Sequence, residues 1–343
     1  MMILVVNFYS FLFYILNNKG RLFISAFLFF TVSCTNKESI HLNGFTMGTT
    51  YQIKIIGKDL SKEKIQIKSK IDSLLYDFNN IFSTYIDTSE IVRINESIKD
   101  TLNISYHMKK IMNESFYVYR NTYRSFDPTI KPLLNLWNFD NDKFSIPDKK
   151  KVNNVLKTIG FNKISIEDNY VIKNNINFDF NAIAKGYAVD LIGSYLKKRG
   201  HNDFLVEIGG ELLCSGTNKK DQWTIGLQNP YIDNGYVEII KLKNKAIATS
   251  GTYINFYTHN GISYSHIINP INGYPVNHKT VSVTVVANNC LIADAYATGL
   301  LVLGNIKGLE IVNKNKDIEA MFVTGTKNDY VVEYSENFGS FID

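Results

Sequence analysis

The stretch from Phe178 to Asp190, Phe-Asp-Phe-Asn-Ala-Ile-Ala-Lys-Gly-Tyr-Ala-Val-Asp, constrains this chain most, because it makes two choices that ordinary helix construction avoids. Apolar alternation up to Phe180 predicts a strand ending there. Asn181 is the expected N-cap, and Ile183, Tyr187, Leu191 and Tyr195 recur at helical spacing as far as Gly200. A lysine in the first turns of a helix faces the positive end of the macrodipole, and a glycine inside a helix costs roughly 1 kcal/mol relative to alanine. Lys185 and Gly186 are therefore locally poor. An anion at the helix N-terminus would turn the lysine into a ligand, and the glycine would let a bulky group reach the backbone. Read alone, the pair is equally a solvated lysine beside a packing glycine.

With 343 residues, 45% hydrophobic and 20% charged, the chain is globular and can bury the core of one large domain or two intimate subdomains. The formal charge is +5, and the first 33 residues contribute Lys19 and Arg21 with no acid. No basic stripe interleaved with aromatics, zinc-type Cys/His spacing or Walker phosphate loop is present, so nothing implies nucleic acid.

Two apolar runs, Ile3 to Leu16 and Leu22 to Val32, flank the basic pair. The second, closed by Ser33-Cys34, has the layout of a secretory signal and is short for a membrane span. Thr31-Val32-Ser33-Cys34 resembles a lipoprotein cleavage box in which Cys34 becomes the acylated first residue, with threonine where leucine is common. The first run is either an overlong start or part of an uncleaved anchor. The expected organisation is a signal peptide over 1–33, a lipidated N-terminus and tether over 34–43, and a catalytic domain over 44–340. Export would place the protein in the cell envelope, membrane-anchored and facing the periplasm. Cys214 and Cys290 are expected as buried free thiols, although an oxidising compartment would permit pairing.

Along the domain, Gly44 to Ile56 alternates as a strand around Met47-Gly48-Thr49, and Ser61 is the expected cap of a helix with Ile71, Leu74, Leu75, Phe78 and Phe82 as its buried stripe. Ser83-Thr84-Tyr85 follows, where Tyr85 either packs or offers a flat face to a ring ligand. A second helix from about Ser105 to Tyr123 carries a core stripe. Ser125-Phe126-Asp127-Pro128-Thr129 then reads as a rigid segment, a ligand wall or a plain connector. A helix over Lys149 to Ile159, ended by Gly160, precedes the 178–190 stretch. Beyond that stretch, a strand over Phe204 to Ile208 delivers Gly209-Gly210. His266, in Ser265-His266-Ile267-Ile268-Asn269-Pro270, is a candidate acid/base or a satisfied structural histidine. Asn289 should cap a helix on which Asp294 and Thr298, four apart, share a face. Such a carboxylate and hydroxyl can offer oxygens to a hard cation such as Mg²⁺, or can simply satisfy the helix.

Taken together in their order, Met47-Gly48-Thr49, Ser83-Thr84-Tyr85, Phe126-Asp127-Pro128-Thr129, Ala184-Lys185-Gly186-Tyr187-Ala188-Val189-Asp190, Gly209-Gly210, Ala248-Thr249-Ser250-Gly251, His266-Ile267-Ile268-Asn269-Pro270 and Ala293-Asp294-Ala295-Tyr296-Ala297-Thr298 resemble the ApbE family of FAD:protein FMN transferases. The resemblance runs from about Gly44 to Gly304. It implies an α+β fold of mixed, largely antiparallel sheets flanked by helices. The activity it implies is Mg²⁺-dependent: FAD is cleaved, AMP released, and FMN attached through a phosphoester to a threonine of an acceptor flavoprotein. Typical acceptors are subunits of the sodium-pumping NADH:quinone reductase and of Rnf complexes.

By this resemblance Asp294, Thr298 and the Ala182 carbonyl would hold the metal. Met47, Tyr85, Ser125, Phe126, Asp127, Asp179, Lys185 and Ile267 would contact FAD, and His266 would be the catalytic base. Asn269 departs from the family's more frequent aspartate, so no charge-dependent role is assigned to it. The motifs do not separate transfer from an FAD pyrophosphatase yielding FMN and AMP, nor from a flavin-binding lipoprotein without turnover.

Overall fold

The alternation that begins at Ile40 and Leu42 builds a hairpin from the first described residues. The computed structural model describes residues 37–139, 146–253, 256–259 and 262–342; the predicted signal segment and Cys34 lie outside them. Strand β1 (Glu38–Thr46) pairs antiparallel with β2 (Thr49–Gly57) through a turn at Met47-Gly48, both with positive φ. β1 therefore starts inside the stretch read as a tether. Helices α1 (Leu60–Phe82) and α2 (Glu90–Glu96), strand β3 (Thr101–Asn103) and helix α3 (Tyr106–Asn121) follow. Then come α4 (Lys131–Trp137), α5 (Lys149–Leu156), the short strands β4 (Ser165–Ile166) and β5 (Tyr170–Ile172), and α6 (Asn181–Lys198).

The second half runs β6 (Asp203–Ile208), β7 (Glu211–Ser215), β8 (Trp223–Gln228), β9 (Tyr236–Leu242), β10 (Lys245–Gly251), β11 (Phe256–His259) and β12 (Ile262–Ser265). It closes with β13 (Thr280–Ala287), α7 (Cys290–Leu303), α8 (Asn305–Lys314), β14 (Ile318–Thr326) and β15 (Asp329–Tyr334). Eight strands form the central sheet in the order β1-β2-β6-β7-β10-β13-β14-β15, antiparallel at every pairing. The architecture is thus α+β with largely antiparallel sheets.

Alternation sends successive residues of the central strands into two cores. Phe204, Val206, Val283, Val285, Ala320 and Phe322 face α1, α6 and α7, whereas Val286, Met321 and Val323 face the β8–β9 hairpin with Trp223 and Phe338. A third cluster, Leu133, Trp137, Phe139, Ile159 and Ile268, supports the 264–276 segment, with Trp137 Nε1 donating to the Gly273 carbonyl at 2.8 Å.

Five local expectations are corrected. Gly44 to Ile56 is not one strand: the Met47-Gly48 turn breaks it into the end of β1 and most of β2. Ile176 to Phe180 alternates like a strand but joins no sheet: the Phe178 N–H and C=O are taken by the Asn95 side-chain amide at 2.7 and 2.8 Å, and Asp179 N–H by the Pro128 carbonyl at 2.7 Å. Asn181 is the first helical residue and not the cap; Asp179 Oδ1 accepts its N–H at 2.9 Å. Ser61 does not cap α1, because its N–H and hydroxyl both go to Glu38 Oε2, and the helix opens from Asp59 in the left-handed region. The α-helix from Lys149 stops at Leu156, before Gly160. Cys214 and Cys290 are buried and unpaired. Among the described residues no helix is long and apolar enough to cross a membrane.

Candidate active site

A cavity of about 720 Å³ opens where the start of α6, the middle of α7 and the loops at one end of the sheet meet. That size suits a small-molecule ligand. One wall is the 125–130 segment. Ser125 Oγ donates to the Gly299 carbonyl at 2.7 Å, tying it to α7. Asp127 Oδ1 accepts from Thr129 N at 2.9 Å and Thr129 Oγ1 at 2.6 Å, and so caps the short turn Pro128–Ile130. Burial pushes the Asp127 carboxyl up to about 6 against these hydrogen bonds. Asp179 is also held above its ordinary range by burial, with the Asn181 N–H and Lys131 opposing.

The floor explains Lys185 and Gly186. A Cβ at Gly186 would lie 2.3 Å from the Cys290 carbonyl oxygen and 2.8 Å from Asp294 Cβ, so the glycine is what lets α7 reach the α6 backbone. The Gly186 N–H donates to Asp294 Oδ2 at 2.9 Å. In a regular helix that donor serves the carbonyl four residues back, Ala182. Lys185 Nζ lies 2.5 Å from Glu211 Oε1, a carboxylate 4% exposed whose Oε2 is buried without a hydrogen-bond partner.

Burial raises the Glu211 carboxyl to about 8, with the Asp294 charge adding and Lys185 opposing. Asp294 is raised by burial, opposed by Lys185 and the Gly186 N–H. For Lys185, burial works against the charged form, but Asp294 and Glu211 outweigh it and leave the ammonium stabilised. One ammonium thus faces two buried acids, too little positive charge to keep both ionised against their burial, and both are pushed toward their protonated forms.

On the opposite side Ser250 Oγ and Thr298 Oγ1 are 3.0 Å apart, at the end of β10. His266 and Ile267 line the cavity from the segment after β12. Ile267 N–H donates to Ser265 Oγ at 3.1 Å, and the Ile267 carbonyl accepts from Val276 N at 2.9 Å. Asn269 folds that segment on itself: its Oδ1 accepts from Ile271 N at 2.8 Å and its N–H donates to the Tyr274 carbonyl at 2.8 Å. A neutral amide suffices for this turn.

Of the residues expected from sequence, Tyr85, Ser125, Phe126, Asp127, Asp179, Ala182, Lys185, His266, Ile267, Asp294 and Thr298 all line this cavity. Met47 sits in the β1–β2 turn, packed against the main core, and is not among the lining residues. Glu211 was missed, and Ser250 was placed in a motif without a role. Glu211 follows Gly209-Gly210 directly, and an acid at the head of the apolar run Leu212-Leu213-Cys214 is the sequence signal that marks it.

The donors gathered here are oxygens: the Asp294 and Glu211 carboxylates, the Thr298 hydroxyl and the Ala182 main chain. With the orphaned Glu211 Oε2 and the shortage of positive charge, they fit a hard divalent cation whose shell is completed by ligand phosphates and water. Among the described residues no group of three or more His, Cys, Asp or Glu is placed to hold a metal ion.

The ApbE family model matches residues 47–322. The FAD:protein FMN transferase of Vibrio cholerae is 35% identical over 89% of this chain and 93% of its own length. The protein of that name from Escherichia coli K12 is 30% identical over 93% and 96%. Among solved structures, the flavin transferase ApbE of Vibrio cholerae superposes with a TM-score of 0.81 at 34% identity, covering 89% of this chain and all of that one. The apo flavinyl transferase ApbE of Pseudomonas stutzeri gives 0.82 at 29% identity, covering 89% and 97%.

Proposed function

The chain belongs to the ApbE family, and on that premise we propose that it is an FAD:protein FMN transferase that cleaves FAD, releases AMP and joins FMN to a threonine hydroxyl of an acceptor protein. The observation that carries this reading is the convergence of Asp294, Thr298, Ala182, Lys185 and His266 on one cavity.

Phosphoryl transfer depends mainly on placing the attacking oxygen and neutralising charge. Asp294, Thr298 and the Ala182 carbonyl would hold Mg²⁺, with Glu211 Oε2 free to face it. The cation would polarise the phosphoryl oxygens and offset the charge left on AMP. Glu211 fixes Lys185 in the cavity floor, where its ammonium can meet a pyrophosphate oxygen. His266 accepts the proton of the attacking threonine as its oxygen bonds to the flavin-side phosphorus and the bridging P–O bond to AMP breaks, a role worth about 10²–10⁴-fold in rate.

The reading extends to a lipid anchor at Cys34, a place in the cell envelope, and acceptors such as sodium-pumping NADH:quinone reductase or Rnf subunits. It is tested by incubating the protein with FAD, Mg²⁺ and an acceptor domain. Covalent flavin fluorescence on the acceptor in a denaturing gel, together with stoichiometric AMP, is the expected result. AMP without labelled acceptor would make the protein a pyrophosphatase, and bound FAD without AMP a carrier.

A further inference from the structure

The strand register places every connection of the central sheet at one of two ends. At one end lie Glu38 opposite Gly57, Ile56 opposite Asp203, Phe204 opposite Ser215, Cys214 opposite Lys245, and Ala287 opposite both Ala246 and Ile318. At the other lie the Met47-Gly48 turn, Gly209-Gly210, Glu211 and Gly251; Gly209, Glu211 and Gly251 line the cavity. The nine residues of β1 separate the two ends by about 30 Å.

The end remote from the cavity is rich in exposed lysine. Lys58 follows β2, Lys219 and Lys220 follow β7, Lys243 precedes β10, and Lys314 and Lys316 lead into β14; all six are exposed and none makes a salt bridge with another described residue. The acids there are partly consumed: Asp203 holds Lys37, Asp59 holds Lys62, Glu63 holds Arg199, Glu38 accepts from Ser61, and Glu319 accepts from Ser335 and Asn337, which leaves Asp221, Asp317 and Glu336 without a side-chain partner among the described residues. The chain enters the fold at this same end. Only Thr35, Asn36 and Lys37 lie between Cys34 and β1, a span of at most about 14 Å when fully extended.

We propose that this lysine-rich end of the sheet is a docking surface for an anionic lipid bilayer, which holds the cavity about 30 Å from the membrane and facing away from it. Clustered lysines next to an anchoring point meet the negative potential of acidic headgroups, and the attraction fades within a Debye length, so that only the loops at this end feel it. The proposal rests on the Cys34 anchor of the proposed function and not on the transferase chemistry, since it concerns a surface at the opposite end of the sheet. If both hold, the acceptor must present its threonine at that height above the bilayer.

The test reconstitutes the full chain into vesicles of phosphatidylcholine alone or with phosphatidylglycerol, and measures acetylation of individual lysines by a membrane-impermeant amine reagent. Phosphatidylglycerol should lower labelling of Lys219, Lys220 and Lys316 about fivefold, with recovery at an ionic strength that cuts the Debye length to about 3 Å. Lys327, in the β14–β15 turn at the cavity end, should be unaffected. A triple variant, Lys219→Glu, Lys220→Glu and Lys316→Glu, should lose the protection at Lys58 and Lys243 while releasing AMP from FAD in detergent at the wild-type rate. Labelling that ignores lipid charge, or protection as strong at Lys327 as at Lys219, would overturn the proposal.

Discussion

Replacing Gly186 by alanine tests the central geometric claim, because it adds one methyl group where two helices touch. The new Cβ would stand 2.3 Å from the Cys290 carbonyl oxygen, 2.7 Å from its carbon and 2.8 Å from Asp294 Cβ, whereas ordinary contact begins at 3.4 Å. Two of these three atoms are backbone and cannot rotate away, so α7 must retreat by about 1 Å, carrying Asp294 and Thr298 with it. The stability terms oppose each other: alanine gains about 1 kcal/mol of helix propensity, and overpacking costs about 1–3 kcal/mol. The net loss is then about 0–2 kcal/mol, a fall of a few degrees in melting temperature for a domain of this size. A displacement of about 1 Å in a catalytic group costs on the order of 10²-fold in rate. We therefore expect Gly186→Ala to fold, to melt slightly lower, and to release AMP from FAD about 100 times more slowly than wild type. Turnover within a few-fold of wild type, in a protein that melts normally, would refute the view that this contact sets the position of Asp294.

Two further outcomes are expected. Asp294→Asn keeps an oxygen to accept the Gly186 N–H but removes the charge, so Mg²⁺ should no longer raise the melting temperature as it does for a protein that binds it only when folded; an unchanged Mg²⁺ shift would remove Asp294 from the cation site. Asp127, whose carboxyl burial raises from about 3.8 to about 6, binds its proton more tightly in the fold than in the unfolded chain. Its penalty is absent below pH 4 and grows as pH rises to 6, so stability falls across that window. Asp127→Asn should become more stable relative to wild type over the same interval, by up to about 3 kcal/mol, while Asp190, raised to about 6, keeps part of the slope in both proteins. Equal pH dependence in denaturant titrations of the two would contradict this.

The helices and the order of the site segments were legible because their signals are local: the stripe of α1, the Asn289 cap of α7, and the run from Ala184 to Asp190. What could not be read depends on distant partners. Ile176 to Phe180 has strand-like alternation, yet its backbone is satisfied by the side chain of Asn95, 83 residues away. Lys185 looked like a solitary anion ligand because nothing in its own helix announces Glu211, which reaches it from β7. Gly186 is recognisable in the sequence as a place of close approach, but the approaching group is the Cys290 backbone and the Asp294 side chain of α7 and not a ligand. Asn269 looked like a loss of charge near His266, and the structure gives it a turn to hold, for which an amide serves as well as a carboxylate.

The spacing within the two helices accounts for why these motifs take the lengths they do. Asp190 accepts the first two N–H groups of α7, from Cys290 at 2.8 Å and Leu291 at 2.9 Å, which fixes where that helix begins. Four residues back along α6, Gly186 meets the Cys290 carbonyl and gives its N–H to Asp294, which lies four residues forward along α7. The helices therefore run past each other as antiparallel rungs of one turn each. The next pair at that spacing is Ala182 and Thr298, and both line the cavity. An Ala-x₃-Gly-x₃-Asp series on α6 and a Cys-x₃-Asp-x₃-Thr series on α7 are thus two sides of a single ladder. Its closed end caps a helix, and its open end delivers a carboxylate, a hydroxyl and a main-chain carbonyl to the same place. Shifting either helix by one residue would leave each sequence motif intact on paper and would separate all three oxygens, because one residue turns a helix by about 100° and removes them from the shared face.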